Sequence, residues 1–347
     1  MEIKNTIFLK ESNVSFLSEE AFTILEAGLK SDINLPHGCR SGYCGTCSVQ
    51  LVNGRIKKLD GSKVECKEKK KRILLCQSIA DSKEITIEYP SHTIKKILQE
   101  NKRVKIEPKE FFLEVISNKQ ITPIVKELQV MVPEKLNFRF EAGMHVEIIC
   151  KELNLLRKYS ICNSPNDNMQ ASKNMLRFLI AKHNENGLSA FLSKEVLPGD
   201  IINIKGPYNS FIFEVDFQKP IIALAGGTGI APILSILKNI LKKNKDLSVL
   251  VLLSVRSRIE ILEMDTLHKI EQKYKNFSFK ITLTRENINV ANRFLYGRVE
   301  KVLPRIFNDL STHIVFICGS NGFVSHSKKS AASLNANKKR IYSEIFS

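Results

Sequence analysis

The chain has 347 residues, enough for two or three domains, and its 43% hydrophobic content is ordinary for a globular protein. A net charge of +17, from 53 lysines and arginines against 36 acids, admits an acidic protein partner, nucleic acid or an anionic membrane. Two observations narrow this: in the most basic stretch, Arg55–Arg72, no aromatics interleave as on a nucleic-acid surface, and no apolar tract is long enough to span a bilayer.

Met1-Glu2-Ile3-Lys4-Asn5 has no basic region leading into an apolar run, so the expected location is cytoplasmic. Thr6–Lys10 and Val14–Leu17 read as short strands. Ser18 reads as the N-cap of an amphipathic helix over 19–31, with Glu19 and Glu20 in its first turn. Then comes Cys39-Arg40-Ser41-Gly42-Tyr43-Cys44-Gly45-Thr46-Cys47, three thiols spaced C-x4-C-x2-C. That is the spacing of [2Fe–2S] ligation, which needs a fourth cysteine further on. Cys76 lies 29 residues past Cys47 and follows a short apolar segment, whereas the competing Cys66 sits inside a lysine run. Zinc is the alternative metal, but its sites usually pair two C-x2-C units, and nothing near Cys76 completes one. Cys39, Cys44, Cys47 and Cys76 are therefore the expected ligands.

Strands are expected at Ser48–Val52 and Glu84–Glu88, with a turn at Asn53-Gly54. Arg55–Arg72 carries nine basic residues against three acids and reads as a solvated loop or as a docking patch for an acidic partner. From Pro90 to Lys109 the chain is polar and basic, a linker or a short helix. Six strand patterns follow, at Phe111–Ser117, Ile124–Val132, His145–Cys150, Lys158–Cys162, Leu176–His183 and Ile201–Lys205. With a helix at 188–196 they suggest a small antiparallel barrel. Arg157-Lys158-Tyr159-Ser160 offers a guanidinium for a pyrophosphate, an aromatic ring and a hydroxyl. Gly187-Leu188-Ser189 opens a helix and suits phosphate on its amides, although such a turn is often only a cap.

The last third alternates strand and helix, which predicts a doubly wound parallel sheet. Its first strand, Pro220–Ala225, runs into Gly226-Gly227-Thr228-Gly229, the strand–turn–helix logic of dinucleotide binding without the strict G-x-G-x-x-G pattern. Further strands are expected at Ser248–Ser254, Phe277–Thr282 and His313–Cys318, with helices at 263–274, 298–307 and 322–334. Cys318-Gly319 ends the last of these strands, where such sheets place ligands; taken alone, Cys318 reads as packing.

Together these motifs resemble a ferredoxin-fused reductase of the ferredoxin–NADP reductase superfamily, as found in oxygenase reductase components and in CDP-6-deoxyglucoseen reductases. The resemblance implies a β-grasp [2Fe–2S] domain over 1–90, a linker over 91–109, an FAD-binding barrel over 110–216 and an NAD(P)-binding domain over 217–347. It implies that NAD(P)H is oxidised and that electrons pass through FAD and the cluster to a partner protein, an oxygenase or a deoxysugar dehydrase of the PMP-dependent kind. Arg157, Tyr159, Ser160, Gly187, Leu188 and Ser189 would hold FAD. Gly226, Gly227, Thr228, Gly229, Arg256, Arg285, Cys318 and Gly319 would hold the nicotinamide cofactor, whether NADH or NADPH. Ser160, Cys318, Glu344 and Phe346 would face the chemistry. Cys318-Gly319-Ser320 and Ser343-Glu344-Ile345-Phe346 lean toward the deoxysugar branch. A non-enzymatic redox sensor, using its basic surface for nucleic acid or membrane, is the rival reading.

Overall fold

The computed structural model describes residues 5–31, 33–37, 40–43, 45–66, 69–100, 108–165, 175–182, 185–208, 217–244, 246–286 and 293–346. The chain divides into two compact units, 1–105 and 106–347.

In the first unit, β1 (Asn5–Leu9) pairs antiparallel with β2 (Ser15–Ser18) and parallel with the last strand, β7 (Glu84–Glu88). Between them lie α1 (Ile24–Lys30), β3 (Ser48–Lys58), β4 (Lys63–Cys66), β5 (Lys71–Leu74) and β6 (Ser78–Ala80). The core is a set of fully buried aliphatics, including Ile7, Ile24, Leu35, Leu51 and Ile85. Two expectations change here. The helix starts five residues later than expected and is capped by Thr23, not Ser18. Thr23 Oγ1 accepts from the Glu26 amide at 3.2 Å, and the Glu26 carboxylate takes the Thr23 amide at 2.9 Å. This reciprocal box satisfies two orphan donors where Ser18 would satisfy one. Asn53-Gly54 is not a turn, because β3 runs straight through it. Gly54 has φ +95°, and a Cβ there would stand 2.5 Å from the Glu84 carbonyl, beside a register shift against β7. The glycine absorbs a bulge in one long strand.

Most of the described part of the basic segment is consequently strand, carried by β3, β4 and β5 with a turn at 59–62. Arg55 and Lys63 both contact Asp81 (2.6 and 3.2 Å), while Lys57, Lys58, Lys69, Lys71 and Arg72 are exposed. Next, α2 (Ser91–Glu100) buries Ile94 and Ile97 in the core of the first unit.

The second unit begins with six antiparallel strands: β8 (Lys109–Thr122), β9 (Val125–Met131), β10 (His145–Cys150), β11 (Leu155–Ser160), β12 (Met175–Ala181) and β13 (Ile201–Tyr208). They lie in the order β11-β10-β13-β8-β9-β12. The two ends of this curled sheet meet just past β11. There the Cys162 amide donates to the Arg177 carbonyl (2.8 Å), and Asn163 bonds both the Arg177 amide and the Met175 carbonyl. One short helix, α3 (Leu188–Lys194), caps a core built from Leu113, Val130, Ile148, Phe178 and Ile204.

The remainder is a six-stranded parallel sheet made of β14 (Ile221–Gly226), β15 (Val249–Val255), β16 (Phe277–Leu283), β17 (Phe294–Tyr296), β18 (Ile314–Ser320) and β19 (Ile341–Phe346), in the order β17-β16-β15-β14-β18-β19. Ile221, Ala223 and Ala225 of β14 face one apolar layer, together with α4 (Ile230–Lys243) and α5 (Met264–Lys273). Ile222 and Leu224 face the other, against α6 (Val299–Ile306) and α7 (Asn321–Ser333). Burial on both faces explains why these strands read as continuous apolar runs. The chain reverses its direction of winding between β14 and β18, which makes their carboxyl ends the switch point where such sheets bind ligands.

A partly buried ion triad ties barrel to sheet. Arg177 of β12 meets Glu127 of β9 at 2.7 Å and also bonds Glu263, the residue that precedes α5. Burial works against the charge, but Cys162 and then the carboxylates of Glu263 and Glu127 outweigh it and raise the guanidinium's pKa.

Candidate functional site

The first candidate site lies in the first unit. Cys47 immediately precedes β3, and Cys76 sits in a single 3-10 turn after β5. Their sulfurs are 3.2 Å apart and both thiols are buried. The Leu75 amide donates to the Cys47 carbonyl (3.1 Å), which locks the two segments together. Gly42 and Gly45 have φ of +85° and +75°, so the loop between the cysteines turns in a way that side chains resist. His37 Nδ1 lies 2.7 Å from the Leu35 carbonyl and its Nε2 lies 3.2 Å from Arg40. Cys39 and Cys44 fall outside the described residues. Cys66 is elsewhere, its thiol donating to the Val52 and Lys69 carbonyls at 3.2 and 3.1 Å. Two buried, adjacent thiols on a glycine-bent loop fit a thiolate-ligated cluster.

The second candidate is a cavity of about 770 Å³ in the second unit. Arg157, Tyr159 and Ser160 enter it from β11, and Gly187, Leu188 and Ser189 from the start of α3. Gly226, Gly227 and Thr228 enter from the turn after β14, and Phe346 from the chain's end. Ser160 Oγ donates to Glu344 Oε2 across 3.4 Å, joining the barrel to β19. Glu344 Oε1 lies 4.0 Å from Nδ1 of the buried His145, whose ring stacks on Tyr208 at 5.5 Å. Tyr159 is half-buried, and that burial, opposed by the Arg157 charge, pushes its phenol up to about 12.

The glycine turn works by close approach. A Cβ on Gly229 would lie 2.1 Å from the Cys318 carbonyl, and one on Gly226 would lie 2.8 Å from the Phe323 ring. Only bare backbone lets β14, β18 and the first turn of α4 converge here. Cys318 is completely buried at the end of β18, beside Glu344 in register, so its thiol does not line the cavity. Burial, with the Glu344 carboxylate adding to it, pushes that thiol well above its ordinary range. Gly319 packs on Gly226. Arg256 lines the cavity, whereas Arg285 is exposed and outside it.

Three family models match in sequence along the chain. They are a 2Fe-2S iron-sulfur cluster binding domain over 7–81, an oxidoreductase FAD-binding domain over 113–213 and an oxidoreductase NAD-binding domain over 223–329. The chain is a ferredoxin-fused member of the ferredoxin–NADP reductase superfamily. Among its relatives is reductase component 1 of terephthalate 1,2-dioxygenase from Comamonas sp., 26% identical over 99% of this chain and 98% of the relative. Another is the CDP-6-deoxy-L-threo-D-glycero-4-hexulose-3-dehydrase reductase of Yersinia pestis, 25% identical over 97% of both. The crystal structure of the Amycolatopsis cytochrome P450 reductase GcoB shares the fold, with TM-score 0.74 at 19% identity, covering 99% of this chain and 98% of that one. The protein is thus an NAD(P)H-dependent oxidoreductase that uses a [2Fe–2S] cluster and FAD. The rival reading as a redox-sensing binding protein gains no support from these matches.

Sequence reasoning missed several cavity residues of this reductase. Glu260, Arg298, Phe323 and His326 all line the wall. No motif marks them; they arrive there because the loops and helices after β15, β17 and β18 open onto one end of the sheet. His145 was seen only as the first residue of a strand.

Proposed function

We propose that the protein carries electrons from a nicotinamide dinucleotide to a separate acceptor protein, an oxygenase or a sugar dehydrase, and that it does so in the cytoplasm. The observation that carries the reading is the single cavity in which the barrel's Arg157–Ser160 strand end faces the glycine turn of the parallel sheet. When bound, FAD supplies the exchange of a two-electron hydride for single electrons, which the cluster relays.

The chain's own residues hold and orient these groups. Arg157 offers a fork to a pyrophosphate oxygen, and the amides of Gly187–Ser189 offer donors beside it. Tyr159 stays neutral at working pH and presents an apolar face. Ser160 and Glu344 form the polar contact at the floor, and Phe346 covers it. Gly226–Gly229 let a dinucleotide approach the backbone, while Cys318 and Gly319 shape the turn opposite. Cys39, Cys44, Cys47 and Cys76 hold the cluster, and a cytoplasmic setting keeps those thiols and the buried Cys66, Cys150 and Cys162 reduced. Near-equal identity to an oxygenase component and to a dehydrase reductase favours the broader class, a protein acceptor, over the deoxysugar branch alone. The exposed lysines of β3 and β5 are the surface proposed to meet it.

We infer domain limits at 1–90, 110–216 and 217–347, within which the three family matches fall, with α2 of the intervening 91–109 stretch packed into the core of the first unit. FAD retention after gel filtration tests the site. Arg157→Ala should weaken FAD binding on the order of tenfold or more, as expected for loss of a charge-assisted bidentate contact. A variant that stays flavin-replete under dilution argues against the phosphate role.

A further inference from the structure

In a doubly wound sheet the adenosine ribose of a dinucleotide lies beyond the end of the second strand. A carboxylate there takes the 2′-hydroxyl, and an arginine takes a 2′-phosphate. The second strand here is β15, and the residues after it carry two arginines, Arg256 and Arg258. By residue type alone they invite a phosphate. The partner of Arg256 reverses that reading.

Arg256 is gripped by Glu260. Its Nε and backbone amide both donate to Oε2, at 3.0 and 3.2 Å, and its Nη2 meets Oε1 at 2.7 Å. Glu260 is mostly buried and lines the cavity beside Arg256. Arg258 is held differently: Glu286 accepts from its backbone amide at 2.8 Å but stands 3.6 Å from Nε, the guanidinium Nε and Nη2 make no hydrogen bond among the described residues, and Arg258 does not line the cavity. The Arg258 guanidinium also sits 5.4 Å from the Phe294 ring. Arg256, the arginine that lines the cavity, is thus half of a charge-neutral pair fixed by its own backbone amide. A 2′-phosphate entering here would have to displace a carboxylate from a multidentate contact, or lie against it. A 2′-hydroxyl, by contrast, can donate a hydrogen bond to that carboxylate.

We propose that the cleft selects the unphosphorylated dinucleotide, NADH, and that Glu260 sets the choice by occupying Arg256. This rests on the reading above that the glycine turn holds a nicotinamide dinucleotide. Equilibrium titration of the oxidised holoprotein with NAD⁺, NADP⁺ and adenosine 2′,5′-bisphosphate tests it without turnover. The wild type should bind NAD⁺ at least about tenfold more tightly than NADP⁺. Glu260→Gln should tighten NADP⁺ and the bisphosphate by a similar factor and weaken NAD⁺, because Arg256 is released. NADP⁺ binding as tight as NAD⁺ in the wild type overturns the proposal and leaves the dinucleotide reading intact. An unchanged ratio in Glu260→Gln overturns the role of Glu260. Failure of both dinucleotides to bind the wild type overturns the proposal together with the reading beneath it.

Discussion

The cluster loop and the flavin cleft are built in opposite ways. In the first unit the expected ligands lie in one nine-residue run plus a single later thiol, and a backbone hydrogen bond brings Cys47 against Cys76. In the second unit the cleft draws on residues from Thr122 to Phe346, delivered by a barrel edge, a helix start and three strand ends. A loop site depends on the identity of a few side chains. A cleft site depends on topology and on the clamps that hold two sheets in one arrangement, so damage to the two should look different.

The sharpest way to expose the contrast is Cys76→Ser. Cluster absorbance should be lost completely while FAD content stays at the wild-type level, and Cys66→Ser should keep its cluster. A cluster retained in Cys76→Ser would assign the fourth ligand elsewhere. Next comes the clamp. Arg177→Met leaves the carboxylates of Glu127 and Glu263 in a partly buried site without their cation, which should cost about 2–4 kcal/mol of stability. Chemical denaturation should show that loss, with the cluster spectrum of the intact protein before unfolding unchanged.

Gly229→Ala should cost less, about 1–3 kcal/mol, because the added methyl must push back the Cys318 carbonyl. It should also weaken dinucleotide binding far more than FAD binding, as titration of each would show. The smallest effect expected is in alkali. Burial raises the Cys162 thiol from 9.0 to about 12 and the Tyr159 phenol from 10.0 to about 12. The folded state therefore holds protons that the unfolded chain releases, and stability should fall as pH rises from about 9 toward 12. Melting temperatures across that range should fall less steeply in Cys162→Ala.

The same contrast decides what could be read in advance. The cluster was legible because ligand spacing is local, and the parallel sheet because strands buried on both faces leave apolar runs. Local competition hid the true cap, since Ser18 and Thr23 are both good caps and only the Glu26 partner favours the second. Gly54 looked like a turn because a bulge and a turn demand the same backbone. The strand Phe294–Tyr296 is three residues long, too short to show a period. Partners of charged groups were least legible of all. Nothing in the sequence says that Arg256 is bound to Glu260 or that Arg177 has two acids, because those pairings are made by the fold.

The central claim is a directed relay from nicotinamide through FAD to the cluster. Its most direct test is anaerobic rapid mixing of the holoprotein with NADH, following flavin and iron–sulfur absorbance together, in wild type and Cys76→Ser. The expected result is flavin bleaching followed by cluster bleaching in the wild type, and flavin bleaching alone in the variant. Cluster bands that stay oxidised in the wild type after the flavin is fully reduced would contradict the relay.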